Sequence, residues 1–578
     1  MTRKDTAVVG ALVVLLAVIA GLVGIPALQG ATASPGTSAS ASGYAASRAY
    51  REGIVGHPVS ISPLTAKTQA DRDLVALIFS GLVRNGPDGT IVPDLAERWS
   101  VDADGRVWTF DLRTDARWHD GEPVTADDVV FTIQTMQDSA YTGPGATSWS
   151  EVEVRATSPT QVTFTLDTPL GGFLQAATQP IAPAHLLGEV PVDLLPDHPF
   201  GQQPIGSGPF ALQALDDTHA ELVPADDVIP PSAVGVNPSA APTDSLTTAT
   251  PTMRPERPTP YLSGIDFEFF ETPDALAAAY RAGDLDAASG LAPALASELA
   301  TAGGSRLLRY PGSTLTAVLL NLSPDHPEFH DPRVRTALLA AIDRVGLIDT
   351  VYASAAATAP GPIPPSSTLF DAAAEPPVMY SADAATKALK AAGWTKKGDG
   401  WYLPGAKKPL TIEVLSPEEA ANPAAYGAAE AVVAGWKALG LGATHVGLPA
   451  AAFVTDRLTP GDFAAAVTDV TIGLDPDLYP LLASSQTRTG GSNVAGIQDP
   501  ALDKLLVAAR APGTPAERYN AYSALQTQLG KGRYLLPLVF QDESVVVRDR
   551  VTGPVVRQVA GPEDRFWDVL TWRLAADR

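Results

Sequence analysis

Twice in the first third of the chain, apolar residues alternate strictly with polar ones. Across residues 107–113 (VWTFDLR), Trp108, Phe110 and Leu112 fall on one side and Thr109, Asp111 and Arg113 on the other. Residues 161–167 (QVTFTLD) repeat the arrangement with Val162, Phe164 and Leu166. A period of two predicts half-buried strands. Elsewhere the spacing is helical and is announced by caps. Thr125-Ala126-Asp127-Asp128 reads as a capping box ahead of Val129, Val130 and Ile133. Thr514-Pro515-Ala516-Glu517 is a fuller one, with Pro at the first helical position and Tyr522, Leu525 and Leu529 following. Asp331-Pro332 opens a helix whose apolar stripe is Val334, Ala337, Leu338, Ala341 and Ile342. Thr272-Pro273 opens another that Gly283 ends. Strand and helix signals are interspersed from end to end, which predicts an α/β architecture.

Three stretches break this pattern. Residues 7–25 run without a charge behind Arg3 and Lys4. A spanning helix needs roughly 17–25 apolar residues, a secretory signal core ~7–15, so the length fits an anchor. The basic flank keeps the N-terminal end in the cytoplasm and sends the body outward. Ala31-Thr32-Ala33, however, has the small-residue pattern of a cleavage site. Residues 1–30 are therefore an anchor or a cleaved signal, and in both cases the body is exported. Residues 31–47 are small and polar, a flexible linker. Residues 223–260 are rich in Pro, Ser and Thr and too poor in large apolar groups to offset their ordering entropy, so they read as a surface insertion.

Composition narrows the function. A chain of 578 residues has room for two or more lobes. The formal net charge of -24 repels phosphate backbones and excludes nucleic acid as a partner. The absence of cysteine removes disulfides, thiolate catalysis, Cys-ligated zinc and iron–sulfur clusters. It also removes a lipid-modified cysteine as an envelope anchor.

Residues 74–131 carry a more specific message. They contain a Gly81-Leu82-Val83 turn, Pro93-Asp94-Leu95-Ala96-Glu97-Arg98-Trp99, the WTFDLR strand, and Trp118-His119-Asp120-Gly121 leading into Thr125-Ala126-Asp127-Asp128-Val129. Further on, and in order, come Pro204-Ile205-Gly206-Ser207-Gly208-Pro209-Phe210, residues 278–286 (AAYRAGDLD), Asn321, residues 331–344 (DPRVRTALLAAIDR), residues 389–394 (LKAAGW), Asp475-Pro476-Asp477 and Asp499-Pro500-Ala501-Leu502-Asp503. This series resembles the family 5 extracellular solute-binding proteins, the dipeptide-, oligopeptide- and nickel-binding components of ABC importers. It covers residues ~50 to ~550 apart from the insertion.

The resemblance implies a class II periplasmic-binding-protein fold: two α/β lobes with mixed sheets, joined by a hinge, plus a small extra domain. Lobe I is then assembled from residues 48–85, 201–315 and 546–578, the extra domain from 86–200, and lobe II from 316–545. It implies capture of a small ligand, a peptide favoured, and delivery to ABC permease subunits at the outer face of the cytoplasmic membrane. It implies a monomer without enzymatic activity, cofactor or metal. Two other readings stay open: a membrane-anchored sensor or binder of a non-peptide solute on the same fold, and, more remotely, a secreted hydrolase.

In peptide-binding members an aspartate a few residues before the Asp475-Pro476-Asp477 turn holds the ligand's amine; here that position is Ile472. A buried ammonium needs a carboxylate, so Asp475 or Asp469 replaces it, or the ligand lacks the amine. Asp475, Asp469, Tyr479, Ser485 and Asn493 are the candidate ligand-binding residues. His119-Asp120 reads as a turn ahead of a helix rather than an acid–base pair. Pro327 and Pro332 place His326 and His330 on a loop, which argues against a helical metal site. Gly206-Ser207-Gly208 lacks the nucleophile-elbow pattern.

Overall fold

The computed structural model describes residues 49–145, 149, 151–227, 260–398, 400–487 and 491–575. The expected anchor or signal, the linker and most of the insertion lie outside the described residues. Among the described residues no helix is long and apolar enough to cross a membrane.

The alternating segments form strands in the expected phase. Val107–Leu112 and Gln161–Leu166 pair antiparallel, and Trp108, Phe110, Leu112, Val162, Phe164 and Leu166 are all buried. With Ala96–Val101 and Val152–Ser158 they make a four-stranded sheet. Its rings interlock: Phe110 meets Phe164 edge-on at 5.6 Å, and Phe173 lies 5.2 Å from Phe164. Helix Ala126–Gln137 opens on the Thr125/Asp128 capping box and buries Val129 and Ile133.

The main sheet has eleven strands and mixed polarity. Tyr50–Val55 runs parallel to both Ile265–Phe270 and Ala287–Ser289, and hairpin Phe210–Leu215/His219–Pro224 adds antiparallel strands at that edge. At the other end, Thr411–Pro417 is parallel to Gly442–Leu448 and to Ala465–Thr471. Val223 and Pro224, which composition assigns to the insertion, complete the hairpin by pairing with Ala211 and Phe210. Pairing of the backbone outweighs their neighbours' low complexity.

Two long antiparallel strands, Ser305–Leu320 and Leu536–Arg548, run through both halves. Their register shifts between Pro311 and Leu315 and again between Thr316 and Ala317. Such irregularities bend a strand and raise its twist. On one side of the crossing a single apolar core joins lobe I to the four-stranded sheet. On the other, two cores cover opposite faces of the lobe II strands. One contains the Asp331-capped helix Pro332–Ala340, and the other contains Leu315, Ile472 and Phe540.

Lobe I is tied together by Arg565. Its guanidinium donates to both oxygens of Asp73, at 2.8 and 2.6 Å, and to Glu52 at 2.7 Å, with all three residues buried. His119 is also structural. Its ring contacts the Gly206 amide (3.2 Å) and the Gly208 carbonyl (3.1 Å), fastening the Trp118-His119-Asp120-Gly121 turn to the glycine turn. A Cβ on Gly206 would lie 1.9 Å from the Ile78 carbonyl oxygen, so only glycine admits that approach.

Candidate functional site at the seam between the halves

The two halves share one edge of the crossing strand. On the lobe I side, Val559 bridges Gly312 in parallel and donates its N–H to the Pro311 carbonyl at 3.0 Å. On the lobe II side, Ile472 donates its N–H to the Ser313 carbonyl at 3.1 Å, and Thr471 pairs with Thr314. Alternate carbonyls of an extended strand point to the same side. The C-terminal segment and the end of Ala465–Thr471 thus flank one notch, with attachment points about 7 Å apart along the strand. Residues 311–314 form its floor, residues 555–559 one wall and residues 469–475 the other.

Farther from the crossing, the halves touch again. The Gly171 N–H donates to the Arg510 carbonyl at 2.7 Å. A Cβ on Gly172 would stand 2.8 Å from Asp475 Cγ, and one on Gly105 2.6 Å from Pro512 Cγ. Glycines flanking the four-stranded sheet let it rest directly on the Asp475 and Arg510–Pro512 segments.

The lobe II wall contains the residues singled out from sequence, and most of their polar atoms are engaged. Asp475 accepts a fork from Arg518, at 2.7 and 3.0 Å, beside the Tyr522 hydroxyl. Asp469 accepts from Thr316 (2.6 Å) and Asn422 (2.8 Å), and Thr316 in turn contacts Tyr352 and Gln541. Asn493 is buried and closes a loop: its amide donates to the Ala483 and Ile497 carbonyls, and its oxygen accepts from the Ile497 N–H. Tyr479 and Ser485 share a 2.9 Å hydroxyl pair, and Arg510 stacks 4.5 Å from the Tyr479 ring centroid. Ile472 is buried among apolar neighbours. The fold thus brings Asp469 to the crossing strand beside Thr316, and Asp475, Tyr479 and Ser485 to the second contact. Asn493 holds the loop behind them.

The other wall was not apparent from sequence. Arg557 and Gln558 stand next to Val559, and all three guanidinium nitrogens of Arg557 and Nε2 of Gln558 are buried without a hydrogen-bond partner among the described residues. Ser313 Oγ on the floor is in the same condition. Burial pulls the Arg557 guanidinium below its usual pKa, with Asp564 and Asp568 opposing. On the partner strand of the floor, burial pushes Asp542 up to about 6, and burial together with Glu563 pushes Glu543 up to about 7. The only sequence signal for this wall is a charged residue inside an apolar run, Val555-Val556-Arg557-Gln558-Val559.

Among the described residues, no group of three or more His, Asp or Glu side chains is placed to hold a metal ion. His326 pairs with Glu328 and His330 with the Ser323 carbonyl.

The model for bacterial extracellular solute-binding proteins, family 5 Middle, matches residues 90–493, more than half of the chain. The chain belongs to that family. Protein XP55 of Streptomyces lividans is 28% identical over 519 residues, which are 88% of this chain and 87% of that protein. The oligopeptide-binding protein AppA from Bacillus subtilis, solved in complex with a nonapeptide, superposes with a TM-score of 0.65 at 22% identity, covering 91% of this chain and 98% of AppA. HbpA2 from Haemophilus parasuis superposes with a TM-score of 0.74 at 22% identity, over 91% and 100%. The periplasmic-binding-protein fold is therefore this chain's fold, and its family is one of solute-binding transport components.

Proposed function

We propose that this chain captures a peptide-like solute outside the cell, in the seam between its lobes, and hands it to ABC permease subunits in the membrane. The observation that carries this is the seam itself. Two irregular crossing strands join the halves, and one wall from each half flanks the same strand edge. A ligand that touches both walls stabilises the shut arrangement, and a permease that recognises that arrangement reads occupancy. The family relationship and the nonapeptide bound by AppA support a peptide as the solute. The apolar N-terminal segment is the tether or, if cleaved, the export signal. The chain acts as a receptor, without turnover. From the lobe II side, Asp469, Tyr479 and Ser485 are the groups that reach ligand, while Asp475 and Asn493 shape the wall.

The test is thermal unfolding of the full chain against di- to pentapeptides, sugars, polyamines and metal chelates. A ligand at ~100 times its dissociation constant adds roughly 2.7 kcal/mol to the native state. Peptides should raise the midpoint and remain intact afterwards. If no solute raises it, or if peptides are hydrolysed, the receptor reading fails.

A further inference from the structure

We infer that Arg557, with Gln558 beside it, is the subsite for a carboxylate of the ligand. The inference rests on reading the seam as the ligand site, and it names what that site recognises.

A guanidinium carries five donors in a fixed fork that matches a carboxylate, and it stays charged in proteins. Removing it from water without a partner is unfavourable. Arg557 is in that condition: Nε, Nη1 and Nη2 are buried and make no hydrogen bond among the described residues. Its carboxylate neighbours are engaged elsewhere. Asp564 accepts from the Ala560 N–H at 2.7 Å, and Asp568 accepts from the Trp572 ring N–H at 2.7 Å and the Val555 N–H at 2.8 Å. The Trp567 ring, 4.7 Å from the guanidinium carbon, offers a face but no acceptor.

The neighbouring unpartnered groups have the same polarity. Gln558 Nε2 can only donate, and the Ser313 hydroxyl can also donate. These donors belong to two consecutive residues of one wall and to Ser313 on the floor, two residues along the strand from the Pro311 carbonyl that Val559 bonds. Ile472, on the other wall, is buried and apolar and offers no carboxylate to an ammonium. The notch is therefore built for the acidic end of a ligand. It also links chemistry to closure: shutting on a carboxylate pairs the buried guanidinium, whereas shutting on a neutral ligand leaves it unpaired.

The probe is a pooled set of tri- to pentapeptides prepared both as free acids and as C-terminal amides, with sugar acids as non-peptide carboxylates. Each is titrated calorimetrically into the full chain and into Arg557→Gln and Arg557→Lys. Free acids should bind about ten- to a hundredfold more tightly than their amides. Arg557→Gln should bind both forms at the level of the amides. Arg557→Lys, which keeps the charge but loses the fork, should recover part of the preference. If sugar acids bind with the same dependence on Arg557, the subsite stands and the peptide reading falls. If acids and amides bind the wild type equally, or if Arg557→Gln keeps the preference, the subsite is wrong while the receptor reading stands. If nothing binds in any arm, both are wrong. Should Arg557→Gln fail to fold, the acid–amide comparison in the wild type and in Arg557→Lys decides alone.

Discussion

Two arginines of the C-terminal segment, eight residues apart, are treated in opposite ways by the fold: Arg565 is fully buried, and Arg557 is a half-buried residue whose guanidinium nitrogens are shielded from solvent. Arg565 is surrounded by acceptors: Asp73, Glu52 and the Pro562 carbonyl. Arg557 has none within hydrogen-bond reach among the described residues. The lobe II wall resembles the region around Arg565, because the Asp475 carboxylate already holds the Arg518 fork. The contrast separates structure from binding by a physical criterion. Arg565 and Arg518 each leave only Nε without a partner and spend their other donors on carboxylates of the fold, whereas Arg557 spends none.

The largest effect that could break the contrast is at Arg565. Arg565→Met should destabilise lobe I by about 3–5 kcal/mol, because Asp73 and Glu52 would remain buried without their cation. Urea unfolding at neutral pH reads this directly. A loss under 1 kcal/mol would mean that buried carboxylate partners are no guide to structural weight here.

Asp475 comes next. Its pair with Arg518 is mostly buried, each side chain being 16% exposed. Asp475→Ala should cost about 2–3 kcal/mol while leaving the acid-over-amide preference of bound peptides in place. The opposite pattern, intact stability with altered selectivity, would move Asp475 into the ligand site and blur the distinction between the walls.

The sequence carried the local half of this picture. The period-two strands, the Thr125 and Thr514 capping boxes and the Gly283 helix end depend on residues within a turn or two of one another. All of them appear where the pattern puts them. The state of a polar side chain does not follow in the same way. Arg518 lies 43 residues beyond Asp475, and Asp73 lies 492 residues before Arg565. Periodicity cannot tell a carboxylate that already has such a partner from one that lacks it. Motif position drew attention to Asp475, already held by the distant Arg518, and to Asn493, whose hydrogen bonds close its own loop. Arg557, in an apolar run, belongs to none of the motifs read from the sequence. The contact of Gly171 and Gly172 was equally hidden, because the Arg510 carbonyl and Asp475 that meet them lie far along the chain.

A smaller effect separates the two strands of the floor by pH. Glu543 has a folded pKa of about 7, raised by burial and by Glu563, against about 4.3 in an unfolded chain. The folded state therefore holds this proton more tightly than the unfolded one. Its contribution is most favourable below about pH 4.3 and is lost as pH rises through about 7. The wild-type midpoint should decline across that window. Glu543→Gln should flatten the decline and stabilise the protein by about 1–2 kcal/mol at pH 8. Parallel profiles for wild type and variant would show that Glu543 titrates normally and that the floor is wetter than its burial implies.

The smallest expected change in stability is the most informative, and it concerns Arg557→Met. The unpartnered guanidinium costs about 1–3 kcal/mol in lost hydration, more if its charge is fully desolvated. Attraction to Asp564 and Asp568 and the face of Trp567 offset part of that, the ring contributing about 0.5–2 kcal/mol. These terms nearly cancel, and methionine keeps most of the side chain's apolar contacts. The unliganded protein should therefore unfold within about 1 kcal/mol of the wild type, against the several kcal/mol expected for Arg565→Met. A loss for Arg557→Met as large as that for Arg565→Met would place both arginines in one structural class. Near-equality with the wild type would mean that the fold does not need this charge, leaving a ligand as what completes it.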